Sequence, residues 1–199
     1  MTRVIVRPEE IQNLRREYQE TGIAHLPGFL SAPVMSLISR RLERGEFFLK
    51  DEVARGSGSI FGTTQAMQAF DPLMSLMHFL LNRHDLFALA AVVCDISRPG
   101  NFLCRVHRTA ASSSQAINWH GDNTGNRMLG LNINLSSEQF SGGEFQLRDP
   151  EERRRGIGGH ITAGDAFLFR IDQGWEHRLT ESRRVSVPWR SAGSGRSPL

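Results

Sequence analysis

The stretch Asn118-Trp119-His120-Gly121-Asp122 is typical of a β-strand that ends at a loop. Side chains alternate between the two faces of a strand, so His120 and Asp122 are expected on one face and Gly121 on the other. A helix would need a wider spacing between two ligands, as in the His-Glu-x-x-His motif. The pattern therefore predicts two metal ligands presented side by side at a strand end.

A second histidine, His177, lies on a later predicted strand and completes a set of two imidazoles and one carboxylate. Three such ligands on one face suit non-haem Fe(II) and leave other coordination positions open. A lone His-x-Asp triplet is weak support, because it arises by chance in many proteins. Its place at a strand end, with the second histidine on a separate strand, strengthens the prediction.

The first hundred residues are predicted to be mostly helical. Apolar spacing and capping residues indicate helices at Pro8 to Gly22, from Ser31 onward, at Asp71 to His84 and at Leu86 to Cys94. A short strand is expected just after Gly22, and residues 45–70 carry no clear pattern.

From Asn101 onward, short apolar runs alternate with turn residues. Strands are predicted near 102–108, 115–120, 128–135, 143–147, 158–162, 166–171, 175–179 and 183–189. About eight short strands in this span are typical of a jelly roll. The predicted fold class is mainly β with α. Residues 101–190 are predicted to form a double-stranded β-helix (jelly-roll) core, and the helices of 1–100 are predicted to pack on it. Together they form one predicted domain, 1–190. Residues 191–199 are expected to be disordered.

Composition favours a soluble globular protein and argues against nucleic-acid binding. The net charge of the 199 residues is +3, and the arginines are scattered rather than gathered in a stripe with aromatics. Two cysteines, Cys94 and Cys104, lack metal or disulfide spacing and suit a reducing compartment. The longest apolar run, Leu86 to Val93, falls far short of the roughly 20 residues of a membrane span. A cytoplasmic location and no membrane partner are expected.

Several further motifs follow in a fixed order. They are Phe140-Ser141-Gly142-Gly143-Glu144-Phe145-Gln146-Leu147, then Gly164-Asp165-Ala166-Phe167-Leu168-Phe169, then Arg184-Val185-Ser186, with Leu26-Pro27-Gly28-Phe29-Leu30-Ser31 near the start. Together with His120-Gly121-Asp122 and His177, they resemble the 2-oxoglutarate- and Fe(II)-dependent dioxygenases of the prolyl-hydroxylase-like branch. Within that resemblance, the first run is similar to the family's Gly-Gly-Glu hairpin and the second to its late strand.

The resemblance implies a set of site residues. His120, Asp122 and His177 would bind Fe(II), and Arg184 with Ser186 would bind the distal carboxylate of 2-oxoglutarate. The gap from His177 to Arg184 is shorter than the family's usual gap. Arg183 is an alternative anchor, because the distance back from Trp189 in some family members corresponds to 183. The tyrosine often found on the first barrel strand is missing, and Arg105, His107 or Arg108 is expected in its place.

The resemblance also implies the chemistry. With O2 and 2-oxoglutarate, the enzyme would release succinate and CO2 and hydroxylate an unactivated C–H bond of a small molecule, amino acid or peptide. Desaturation and ring closure are alternatives within the same family. A nucleic-acid oxidative demethylase and a non-catalytic metal- or ligand-binding jelly-roll module are alternative functions.

Four residues are candidate substrate or co-substrate contacts. Arg105 and His107 share strand parity with Leu103, so all three are expected to face the barrel interior. Trp119 and Trp175 each stand within two residues of a ligand. They are interpreted either as packing residues or as walls of the substrate pocket.

Overall fold

The computed structural model describes residues 7–50, 64–97, 99–108, 115–122, 127–136, 140–149, 151, 155–157, 162–171 and 174–184. Within these residues the elements follow in the order α1 Pro8–Thr21, β1 Ile23–Leu26, α2 Ala32–Arg44, β2 Phe47–Lys50, β3 Thr64–Met67, α3 Pro72–Leu81, α4 His84–Cys94, β4 His107–Arg108, β5 Gln115–His120, β6 Leu129–Ile133, β7 Phe140–Gly142, β8 Phe145–Arg148, β9 Arg155–Ile157, β10 Ala166–Arg170 and β11 Glu176–Arg184.

The helix boundaries follow the predicted capping residues. Pro8 begins α1, which ends at Gly22, where the left-handed backbone (φ 78°) lets the glycine N–H bond the carbonyl of Tyr18. Asp71 caps α3 by accepting a hydrogen bond from the N–H of Leu73 at 2.8 Å. Two predicted boundaries are wrong: α4 begins at His84 rather than Leu86, and α3 ends at Leu81 rather than His84. The Asn82 amide donates to the carbonyl oxygens of His78 and Phe102, which ends the helix there.

The described strands form three sheets, and all the pairings are antiparallel. The first sheet has the order β1-β10-β6, and the second has the order β5-β11-β8-β9, with β7 also paired to β11. The third is a small sheet of order β2-β3-β4. The third sheet includes two strands, β2 and β3, that the sequence pattern missed, because residues 45–70 carry no strand alternation. The short strands β7 and β9 of the second sheet were also not predicted at their observed positions.

The central strand of the first sheet, β10, is buried on both faces. Ala166 and Leu168 pack against α1 and α4 in a core that includes Tyr18. Phe167 and Phe169 point the other way, and their ring centroids lie 4.7 and 4.6 Å from that of Phe145 in the second sheet. The protein is therefore layered as helices, first sheet and second sheet, with one core on each side of β10.

Several predicted strands differ from the observed ones. The run predicted at 102–108 forms a strand only at His107–Arg108. The runs predicted at 175–179 and 183–189 belong to one strand, β11, which continues to Arg184. The Gly-Gly-Glu segment does not form a hairpin, because β7 and β8 both pair with β11. Predicted residues 158–161 and 185–199 lie outside the described part of the chain.

No single helix in the described ranges is long and apolar enough to cross a membrane. Helices α3 and α4, which are bent by 55° relative to each other, reach the required length and apolar content only when they are taken together.

We expect Gly22→Ala to lower the free energy of unfolding by about 3 kcal/mol. A left-handed backbone costs a non-glycine residue roughly 1–2 kcal/mol, and overpacking adds a similar amount. The added Cβ would lie 2.7 Å from side-chain carbons of both Leu147 and Trp175.

Urea denaturation measures the free energy of unfolding of both variants, and Gly28→Ala is the matched control for Gly22→Ala. Gly28 also has a left-handed backbone (φ 62°), but a Cβ there would meet nothing within 4 Å. Its expected cost is therefore the backbone cost alone, about 1–2 kcal/mol. Equal losses for the two variants would show that the contact with Leu147 and Trp175 is unimportant.

Candidate metal centre

The β5–β11 ladder brings two histidines together. His120, the last residue of β5, pairs directly with His177, the second residue of β11. Residues directly opposite in an antiparallel pair project from the same face with Cβ atoms about 5 Å apart. The two imidazole centroids lie 4.2 Å apart. The two predicted histidine ligands are thus neighbours.

A β-bulge adjoins this pair. The ladder shifts register between His120–His177 and Ile117–Leu179, where β5 carries one more residue than β11. Beside the bulge, Nδ1 of His120 lies 2.8 Å from the carbonyl oxygen of Asn118. A carbonyl can only accept, so Nδ1 carries the proton. The free lone pair of His120 is then on Nε2, the atom available to a metal.

Asp122 completes the group just beyond the end of β5. Its Oδ2 lies 3.8 Å from Nε2 of His177. One ligand atom from each of His120, Asp122 and His177 lies within 4.8 Å of the other two. The side chain of Asp122 is 42% exposed and that of His177 is 10% exposed. The group is therefore closed behind His177 and open beside Asp122.

The environment of His177 keeps its imidazole neutral. Its ring lies 5.4 Å from that of Phe145 and 5.2 Å from that of Phe169, between centroids. Burial, and then the proximity of His120, lower the pKa of His177 to about 4, against the opposite effect of Asp122. At neutral pH the ring is uncharged, which is the form that binds metals.

The three side chains fit a ferrous ion. Two neutral imidazoles and one carboxylate are the ligand set of non-haem iron sites. Donors at about 2.1 Å from an octahedral ion lie roughly 3 Å from one another, so a small inward movement would close this group on one ion. Within the described ranges, no other set of three His, Cys, Asp or Glu side chains is grouped in this way.

The structure describes two of the three residues predicted to bind 2-oxoglutarate. The backbones of Arg183 and Arg184 lie at the end of β11, opposite Ser141 and Phe140 of β7. They therefore belong to the same strand as His177. Ser186 lies outside the described residues, so its role stays a prediction.

One expectation about Leu103, Arg105 and His107 is wrong. They do not share an inward face, because Leu103 is 77% exposed and the side chains of Arg105 and His107 are also exposed. Arg108, named with them as a substitute for the missing tyrosine, places its guanidinium carbon 4.0 Å from the ring centroid of Phe47.

Packing accounts for both tryptophans near the ligands. The guanidinium carbons of Arg148 and Arg178 lie 4.3 and 4.7 Å from the ring centroid of Trp119. Those arginines alternate with Leu147 and His177, so Trp119 packs on the sheet face opposite the ligands. Trp175 is 7% exposed and belongs to the core between the two sheets. The packing interpretation fits both residues better than a pocket wall.

Sequence reasoning missed four contributors to the site: Asn118, Gly130, Phe145 and Phe169. Asn118 supplies a backbone carbonyl, which no side-chain motif reports. Gly130 and Phe145 are close to the site only because β6, β8 and β10 fold together. Phe145 and Phe169 lie in motif segments, which was the one available signal for them.

The fold is similar to that of known oxygenases. No family model matches the chain, and no curated protein matches its sequence. An oxidoreductase of the 2OG-Fe(II) oxygenase family from Burkholderia pseudomallei matches with a TM-score of 0.65 and 16% identity, over 88% of this chain and 85% of that one.

Two further structures match over most of their length. The epimerase SnoN, in complex with Fe3+, α-ketoglutarate and nogalamycin RO, gives a TM-score of 0.59 at 16% identity, over 97% of this chain and 94% of that one. A prolyl hydroxylase in complex with a hypoxia inducible factor peptide fragment, from Trichoplax adhaerens, gives 0.57 at 16% identity, over 88% and 86%. At these identities the likeness establishes a shared fold.

We expect the purified apo-protein to bind one Co(II), a coloured substitute for Fe(II), and to melt at a higher temperature when loaded. His120→Ala, Asp122→Ala and His177→Ala should each weaken Co(II) binding by about 100-fold or more, because each removes one direct ligand. His84→Ala, at the exposed start of α4, is the control and should bind as wild type does. Unchanged binding in all three ligand variants would place the metal elsewhere.

Proposed function

We propose that this chain is an Fe(II)- and 2-oxoglutarate-dependent dioxygenase that hydroxylates an unactivated C–H bond of a small molecule, amino acid or peptide. The products from 2-oxoglutarate would be succinate and CO2. The observation that carries the proposal is the converging group of His120, Asp122 and His177, on a fold shared with 2OG-Fe(II) oxygenases. The nature of the substrate is supported by two similar structures that hold a peptide and a small molecule.

The proposal includes the finer architecture. We take the facing sheets β1-β10-β6 and β5-β11-β8-β9, the second with β7 also paired to β11, as the two halves of an eight-stranded jelly roll within one domain, 1–190. Antiparallel pairing and a shared apolar interior support this assignment. A reducing, cytoplasmic location is also proposed, because Cys94 and Cys104 are both free thiols.

Each ligand residue has a distinct task in this mechanism. His120 presents Nε2, since Nδ1 is committed to Asn118. Asp122 supplies the negative charge on the open side, where substrate would enter. The guanidinium of Arg127 lies 4.0 Å from Oδ1 of Asp122 on the same open side. An Fe(II) ion held by these residues would supply the chemistry of O2 activation: O2 is the oxidant, and its four electrons would come in equal parts from the oxidative decarboxylation of 2-oxoglutarate and from the C–H bond that is hydroxylated.

The anchor for 2-oxoglutarate is proposed at the end of β11. A guanidinium binds a carboxylate with two parallel hydrogen bonds. Arg183 follows His177 by six residues and Arg184 by seven. The pairing of β11 with β8 and β7 keeps one register from Glu176 to Arg184, so strand pairing does not rank the two arginines. Ser186 ranks them, because it follows Arg184 by two residues and completes the Arg-x-Ser pattern of the resemblance. Arg184 with Ser186 is therefore the proposed anchor, and Arg183 is the alternative.

Anaerobic titration of the Fe(II) protein with 2-oxoglutarate tests the anchor. We expect a weak visible charge-transfer band in the wild type and none in His120→Ala. Arg184→Ala should weaken 2-oxoglutarate binding about 30-fold or more, since it removes a paired ionic contact of roughly 2 kcal/mol or more. Arg183→Ala is the matched control. The reverse ranking would move the anchor to Arg183, and a wild type without the band would overturn the proposed function.

Succinate release under O2 tests the reaction and the substrate class. We expect the wild type to release succinate slowly alone and faster with a true substrate among amino acids, short peptides and small metabolites. Methylated oligonucleotides form a separate arm, and stimulation by them alone would favour a demethylase. Metal binding without succinate release in any arm would favour a binding module. Asp122→Ala is the inactive control, because it lacks one metal ligand.

A further inference from the structure

The two histidine ligands are oriented in different ways. In most metal sites, the second ring nitrogen of each histidine donates to an oxygen acceptor, and this bond fixes the ring. His120 has such an acceptor in Asn118. Nδ1 of His177 is buried and has no hydrogen-bond partner among the described residues. The orientation of His177 must therefore come from packing.

Two phenylalanine rings supply that packing. Phe145 of β8 stacks on His177 with an interplanar angle of 24°, and Phe169 of β10 meets it at 60°. The two phenyl rings also contact each other, with centroids 4.6 Å apart. The imidazole thus rests against rings from two other strands, one in its own sheet and one in the facing sheet.

Gly130 of β6 makes the position of Phe169 possible. The two residues are directly paired in the β6–β10 ladder. A Cβ on Gly130 would lie 2.1, 2.3 and 2.6 Å from three atoms of the Phe169 ring. The ring therefore occupies the space that any other side chain would take. Gly130 does not have a positive φ, so its backbone conformation does not require a glycine. The close approach of the Phe169 ring is the reason that a glycine stands at this position.

We propose that Gly130, Phe169 and Phe145 form an aromatic clamp that positions His177 for metal binding, in place of the usual hydrogen bond to its second nitrogen. The clamp residues act through His177, since their described contacts with the candidate ligands are with that ring. This inference rests on the proposed function, because it takes His177 as an iron ligand. The clamp directs Nε2 toward Asp122 and excludes water from the back of the ring.

The central test compares Phe169→Leu with Phe167→Leu. Both phenylalanines lie on the same face of β10, and their exposures are 7% and 2%. Among the described residues, the ring contacts of Phe167 are with His25, Phe145 and Phe169, and they do not include His177. The two variants remove the same atoms from the same core. Only one of them removes a direct contact with the ligand.

We expect both variants to lower the melting temperature of the apo-protein to a similar extent. Co(II) affinity should fall about 10- to 100-fold in Phe169→Leu, the usual effect of losing a residue that orients a ligand, and its visible absorption bands should shift. Phe167→Leu should keep the wild-type spectrum and its Co(II) affinity within roughly threefold, since the ligand geometry is untouched. If Phe169 had a purely structural role, both variants would lower the melting temperature and their Co(II) affinities would be equal.

A second test compares the single variant Gly130→Ala with the double variant Gly130→Ala, Phe169→Leu. Gly130→Ala should weaken Co(II) binding and destabilise the apo-protein. The double variant should regain stability, because the clashing ring is gone, but it should not regain Co(II) affinity. Equal Co(II) binding by Phe169→Leu and Phe167→Leu would overturn the clamp alone. Absence of Co(II) binding by the wild type would overturn the proposed function and the clamp together.

Discussion

The direct pairing of His120 with His177 across the β5–β11 ladder is the constraint on which the rest of the site depends. A shift of this register by one residue would turn one imidazole to the other face of the sheet. The irregularities of the ladder lie on one side of this pair, where β5 and then β11 each carry an extra residue. The irregularity is used, because it brings the carbonyl of Asn118 to His120.

The second constraint is the burial of β10 on both faces. Its alternate side chains belong to different cores, one shared with the helices and one shared with the second sheet. The same strand supplies a wall of the site through Phe169 and a support for α1 and α4 through Leu168. Helix packing and ligand geometry are therefore connected by one short strand.

The three candidate metal ligands could be picked out from the sequence because part of their pattern is local. His120 and Asp122 are separated by one residue, so strand alternation alone groups them, and the order of motifs places His177. The helix boundaries were likewise local, with Pro8, Gly22 and Asp71 as capping signals. What failed was non-local. The strands β2 and β3 form by mutual pairing without an alternating pattern, and the exposure of Leu103 depends on how its segment lies against α3. The contact between Gly130 and Phe169 joins strands far apart in the chain, and no spacing rule reports it.

The strand β1 has a consequence for how the protein is divided. All the proposed ligands follow residue 115, yet the edge of the first sheet is completed by Ile23–Leu26 from the start of the chain. Ile23 belongs to the same apolar interior as Phe145 and Phe169, and Gly22 sits against Leu147 and Trp175. The strand-rich half is thus no autonomous module. A fragment that begins after β1 would lose a strand and expose the interior that surrounds His177. The first quarter of the chain is therefore an integral part of the framework that holds the candidate site.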